Sequence, residues 1–176
     1  MKYTVVEIGR KAFCFAESLS SVTLPNTVRS IRFQAFNMTG LTSLHIPASV
    51  VKIEDGFLYS SSKMKTITVA ANNPYYKTEK NVLFNKAMTR LIYCAPVKRA
   101  SYTVPSSVKR LEHTAFNCCS ITKLTIPSSV NVFVGDPFAG FTEYVKIINK
   151  TKPSAKHIPY FKGDKCRLMK PGIYLK

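Results

Sequence analysis

Cysteine, histidine and the hydroxyl residues are the side chains here with the most chemical scope, and their spacing limits what they can do. The cysteines are Cys14, Cys94, Cys118, Cys119 and Cys166, an odd number at irregular intervals with no Cys-x-x-Cys pair. That pattern supports neither a zinc site nor a thioredoxin-like centre, and adjacent Cys118 and Cys119 are poorly placed to bridge each other. Buried free thiols are the expectation. His45, His113 and His157 fall in three different parts of the chain, so no metal cluster is indicated. Nucleophilic catalysis needs Ser or Cys beside a His and a carboxylate. The many serines lie in repeated segments, and no Gly-x-Ser-x-Gly, phosphate-binding loop or Gly-x-Gly-x-x-Gly occurs. The sequence therefore predicts a protein that is not an enzyme, with no cofactor and no metal.

The elements that carry these residues are repeated. Four Pro-x-x-Val steps begin at Pro25, Pro47, Pro105 and Pro127, the first two 22 residues apart and the last two likewise. Before them run alternating apolar segments, Leu19–Leu24, Leu41–Ile46 and Ile121–Ile126, and Met64–Val69 matches without its Pro. Val22 and Leu24 are two apart, so both face one side of a strand while Thr23 faces the other. Pro25 cannot donate to a ladder and ends the strand. The chain then turns, presents Ile31 or Leu111 inward, and packs a small residue and a Phe: Ala12-Phe13, Ala35-Phe36 and Ala115-Phe116, with Gly56-Phe57 and Pro137-Phe138 as degraded copies. One such unit cannot bury its apolar face alone, but a stack can. Parallel strands then line one side, expected to be concave, with turns and short helical segments on the convex side.

One interval is long. Val69 to Val104 spans 35 residues. Within it Val82-Leu83-Phe84 and Leu91-Ile92-Tyr93 are short and β-prone, separated by a plausible turn at Asn85–Met88, which predicts a β-hairpin inserted in an elongated repeat at about 70–104.

The pattern Leu-x-x-Leu-x-Leu-Pro-x-x-Val-x-x-Ile followed by Ala-Phe resembles the BspA-like (treponemal-type) leucine-rich repeats. Asn73-Pro74-Tyr75-Tyr76, Val82–Asn85, Leu91–Tyr93 and Tyr102–Pro105 look like the elongated unit of that family. The resemblance covers about residues 6–148, and the lack of the asparagine ladder of other leucine-rich repeats points to this subclass. It implies a leucine-rich-repeat solenoid and a role in adhesion to host or matrix proteins or to other cells. The family usually carries Cys three residues after the Phe; Cys119 keeps that place and Ala16 and Thr39 depart from it.

Two surfaces follow from the repeat. Outward strand positions stack into a face made of Ser21, Thr23, Ser43, His45, Thr66, Thr68, Lys123 and Thr125, whose hydroxyls suit a glycan or a peptide backbone. The same threonines also satisfy β-propensity on a solvated face. The x-x of Val-x-x-Ile carries Arg29, Lys52, Lys109 and Arg110, which would form a basic ridge broken by Glu7 and Asn131 and extended by Arg10, Lys11 and Arg32. A solvated charged edge is the competing reading.

Charge bears on partners as well. There are 26 basic and 9 acidic residues, a net +17. From Lys146 onward nine Lys/Arg face Asp164 alone. Such a field attracts polyanions, sulfated glycans or nucleic acid among them, although a solubilising surface would look the same. The partner is expected to be a protein or a glycan, with a polyanion as the alternative and a structural spacer as the third reading. The chain is expected to be monomeric. No apolar run nears the roughly 18–20 residues of a membrane span. Met1–Glu7 has no apolar signal core, so the chain is either intracellular or a segment of a longer secreted or anchored protein. Residues 1–148 read as repeats. Residues 149–176 read as a basic, strand-rich C-terminal cap of the same domain. Asn37-Met38-Thr39 and Asn149-Lys150-Thr151 are glycosylation sequons.

Overall fold

The computed structural model describes residues 3–141, 145–151 and 166–168. They form a strand-dominated solenoid of about six coils. The Val-x-x-Ile step makes two-residue strands: β1 (Glu7–Ile8), β2 (Ser30–Ile31), β4 (Lys52–Ile53), β10 (Arg110–Leu111) and β12 (Val132–Phe133). The alternating segments make longer ones: β3 (Ser43–Ile46), β5 (Thr66–Val69), β9 (Arg99–Thr103), β11 (Ile121–Ile126), β13 (Val145–Asn149) and β14 (Cys166–Leu168). Each class stacks in parallel, giving a short ladder and a long ladder down the solenoid. Strand β14 continues the long ladder beyond β13, inside the region read as the cap. The other cap residues, 152–165 and 169–176, lie outside the described residues.

Two expectations need correction. No helix occurs among the described residues, and the turn chemistry explains why. In four of the turns two residues four apart take the left-handed conformation, Lys11 and Phe15, Gln34 and Met38, Gly56 and Ser60, Thr114 and Cys118, and in the last turn Gly135 and Gly140 do so five apart. Left-handed residues interrupt an α-helix. Alternate amides then divide their partners. Ala12, Cys14 and Ala16 donate three residues back, while Lys11, Phe13 and Phe15 donate to Phe33, Ala35 and Asn37 of the next coil. A helix would have kept those bonds inside one coil, so the convex side is itself a ladder. The second correction concerns Leu19–Leu24, which runs with Ser21 and Thr23 exposed and Leu24 buried but forms no strand. Its backbone link to the next coil, among the described residues, is Thr42 N–H to Ser20 O.

The small-plus-Phe pairing also shifts by one in the third coil. Phe36 donates to Phe57 O just as Phe13 donates to Ala35 O. Phe57 thus takes the Ala position and Leu58 the Phe position, both buried. Gly56 supplies the left-handed turn residue that Gln34 supplies in the coil before.

The elongated unit is a three-stranded antiparallel meander of β6 (Tyr76–Glu79), β7 (Val82–Asn85) and β8 (Arg90–Cys94). The expected pair, β7 with β8, is present, and β6 joins it through a turn at Lys80-Asn81, both with positive φ. Strand β8 then pairs in parallel with β10, re-entering the short ladder. Strand β7 explains the division of the core. Leu83 packs into the N-terminal cluster with Leu44 and Ile67, whereas Val82 and Phe84 pack into the C-terminal cluster with Leu111 and Phe116. A strand buried on both faces reads as a continuous apolar run. Stacked phenylalanines fill each half, with Phe13 on Phe36 at 5.4 Å and Phe116 on Phe138 at 5.7 Å.

Candidate binding surface

The period of two along each long strand sends alternate side chains outward, and the register joins them into rows. Ser43 lies beside Thr66, and His45 beside Thr68. In the second sheet Ser101, Lys123 and Lys146 share one row, and Thr103, Thr125 and Ile148 share the next. All are exposed except Thr125 and Ile148, which are half-buried. His45 Nδ1 and Thr68 Oγ1 are hydrogen-bonded at 2.9 Å. The meander separates the sheets, so the residues singled out from sequence fall into two groups, Ser43, His45, Thr66 and Thr68, then Lys123 and Thr125. Ser21 and Thr23 are exposed but belong to no strand. Ser101, Thr103 and Lys146 were missed. The alternation of Arg99–Thr103 against Ile121–Thr125 is the signal that could have found them.

The short ladder is different electrostatically. Lys52 shares its row with Glu7 and Ser30, and Arg110 shares its row with Arg90 and Val132. Arg29 stands between Val6 and Val51, and Lys109 between Thr89 and Asn131, as the inter-coil backbone bonds place them. The four ridge cations therefore occupy two rows, and two of them are ion-paired: Lys52 Nζ lies 3.1 Å from Glu54 and Arg110 Nε 2.8 Å from Glu112. Arg32 bridges Glu7 at 2.6 Å and Glu54 at 2.8 Å. Those bonds, led by Arg32 and then the Phe33 N–H, hold the Glu54 carboxyl down to about 2. Glu7 is likewise held low, first by the Ser30 hydroxyl and then by Arg32. Glu112 is fully buried; its Oε1 accepts from Arg90 and Arg110, and its Oε2 has no partner. Arg10 lies over the Phe33 ring at 5.2 Å.

From Leu91 the chain runs through Cys94 to Arg99 without the convex turn of other coils. A groove of about 580 Å³ opens on that side, lined by Arg10, Phe33, Glu54, Asp55 and His113 among others. Burial pushes the Asp55 carboxyl up. His113 Nδ1 accepts from Asp136 N–H at 3.1 Å. Sequence reasoning missed this groove, which arises from an omitted turn and from no motif. Among the described residues no group of three or more His, Cys, Asp or Glu is placed to hold a metal. His157 lies outside them.

Cys94 and Cys119 are buried free thiols, and Cys14 and Cys118 are free thiols that are half-buried. A hydrogen bond from the Cys119 thiol, and then Arg99 at 2.8 Å, hold Cys94 below the usual thiol range. Burial drives Cys119 upward. Both sequon asparagines are buried. Asn37 donates to Cys14 Sγ, and Asn149 accepts from the Thr151 N–H. In the folded chain neither side chain is offered to a glycosylating enzyme.

No helix of the described residues is long and apolar enough to cross a membrane. Among solved structures the chain is similar to a leucine-rich cell surface protein from Faecalibacterium prausnitzii A2-165, with 27% identity, a TM-score of 0.72, and coverage of 84% of this chain and 39% of that one. The pneumococcal vaccine antigen PcpA shares the fold at a TM-score of 0.72 and 24% identity, covering 83% of this chain and 38% of its own. A leucine-rich repeat protein from Eubacterium ventriosum ATCC 27560 does so at 0.58 and 22% identity, covering 73% and 42%. The chain thus spans about two-fifths of the length of these proteins. No curated protein matches it significantly. A family model described as the BspA type leucine-rich repeat region, in six copies, matches residues 1–102 and 94–161. With that match over nearly the whole chain, and with its parallel ladders, elongated unit and Phe stacks, the chain belongs to the BspA-type leucine-rich repeat family.

Proposed function

We propose that this chain is a non-catalytic recognition module that takes a protein or glycan partner on the outward face of the long ladder, in adhesion or host interaction at a cell surface. The observation that carries the reading is the make-up of that face. Its rows offer Ser43, Thr66, Ser101 and Thr103, small hydroxylated side chains at register positions, and no carboxylate stands on any described long-ladder strand. Small donors and acceptors on a rigid sheet suit an extended ligand because little side-chain entropy is lost on contact. The Faecalibacterium relative is described as a cell surface protein, which supports the location. The longer relatives support a role for this chain as one stretch of a larger surface protein.

The test is binding to a panel of purified matrix proteins and glycans by the chain and by its Thr68→Trp/Thr103→Trp variant. The expected result is at least one panel member bound by the chain and lost in the variant. Binding to none, or binding that the variant keeps in full, would overturn the proposal.

A further inference from the structure

The C-terminal end of the long ladder sets cations side by side. Lys123 registers with Lys146, and Lys146 with Arg167. Adjacent strands lie about 4.8 Å apart, so three cationic residues fall within a row of about 10 Å. Like charges directly opposite one another on neighbouring strands are destabilising. The short ladder shows how this chain relieves the same conflict. Arg90 and Arg110 are also in register, and Glu112 Oε1 sits between them at 2.6 and 2.8 Å. Lys123 and Lys146 are exposed and have no carboxylate at ion-pair distance among the described residues.

We propose that this row is a binding site for a linear sulfated glycan. The inference rests on the recognition reading above and names its ligand class. Among the described residues no carboxylate offsets the repulsion along this row, and a chain carrying regularly spaced sulfates would relieve it. Ser101 heads the row, and Thr103 and Thr125 flank it, placing hydroxyl donors and acceptors beside the cations for sugar hydroxyls. Single-stranded nucleic acid fits less well. Its binders stack bases on exposed aromatic rings, and the exposed rings of the described residues, Tyr3, Phe15 and Tyr75, all lie off the long ladder.

The experiment uses a size-defined heparin oligosaccharide, its desulfated counterpart and a single-stranded DNA of equal charge. Affinities are measured by calorimetry in about 0.15 M salt, where exposed charges interact over about 8 Å. Two charge-matched variants are compared, Lys123→Gln/Lys146→Gln and Arg29→Gln/Lys109→Gln, after thermal melts confirm that each is folded. The expected result is heparin binding that falls roughly tenfold in the first variant, equivalent to about 1.4 kcal/mol. The fall should be under roughly twofold in the second, with weak or no binding of the other two probes. Equal losses in both variants would mean a diffuse field and overturn the site. DNA bound as tightly as heparin would overturn the ligand class. No heparin binding, alongside a panel protein that Thr68→Trp/Thr103→Trp abolishes, would overturn the glycan assignment and leave the recognition reading standing.

Discussion

The Tyr76 hydroxyl accepts a hydrogen bond from the backbone N–H of Ile53 at 2.9 Å and donates to Val51 O at 3.4 Å. A tyrosine side chain thus stands where the next strand of the short ladder would continue from β4. Asn73 holds it there, accepting from the Tyr75 and Tyr76 amides through Oδ1 and donating through Nδ2 to Pro47 O and Val50 O. The Asn-Pro-x-Tyr start of the elongated unit is therefore a splice between two ladders.

Tyr76→Phe is expected to destabilise the chain by about 1–3 kcal/mol, because it strips the buried Ile53 N–H of its acceptor without changing the ring. Asn73→Ala should cost more, since four hydrogen bonds go at once. Denaturant melts of the two variants check both the size and the order.

Asn117 makes the corresponding link on the convex side. Its Oδ1 accepts from Ser60 N–H at 2.6 Å, across the place of the omitted turn, and its Nδ2 donates to Ala139 O at 2.7 Å. Asn117→Ala should cost about 1–3 kcal/mol. Gly140 has φ +77, and a Cβ there would press on Asn117 Nδ2. Gly140→Ala should therefore destabilise the wild-type chain more than the Asn117→Ala chain. A double-mutant cycle reads the difference, and strict additivity would contradict the contact.

Acid stability has a defined sign. Glu54 is held at about 2 against an ordinary value of 4.5. Its ion-pair contribution is complete above about 4.5 and is lost as pH falls toward about 2. Glu54→Gln should flatten the stability profile in that window. Asp55 has the opposite sign. Burial raises its folded value above the ordinary 3.8, so ionisation opposes folding as pH rises through the raised value. Asp55→Asn is expected to stabilise the chain at pH 7 and to have a smaller effect below pH 4. Urea melts across pH test both.

Much of this architecture was legible in the sequence because the repeat constrains each apolar residue twice, by period two along the strand and by the coil length. Leu44, Ile46, Leu124 and Ile126 fall inward by that rule, and all four are buried. Other features depend on what neighbouring coils supply. Strand β6 was missed because Tyr76–Glu79 has no alternation and forms by pairing with β7. The helical expectation failed because left-handed residues such as Lys11 and Gln34 carry no compositional mark of their own. The ridge was drawn from residue type alone. The carboxylates that pair Lys52 and Arg110 lie two positions further along, at Glu54 and Glu112, just past the ends of β4 and β10.

The central claim is that partners are met on the outward face of the long ladder. Photo-cross-linking tests it most directly. A photoreactive phenylalanine is placed in turn at positions 68, 103 and 125, and at 29, 51 and 109, in the presence of whichever panel ligand binds. Adducts are expected from positions 68, 103 or 125 and none from 29, 51 or 109. Adducts confined to positions 29, 51 and 109 would contradict it.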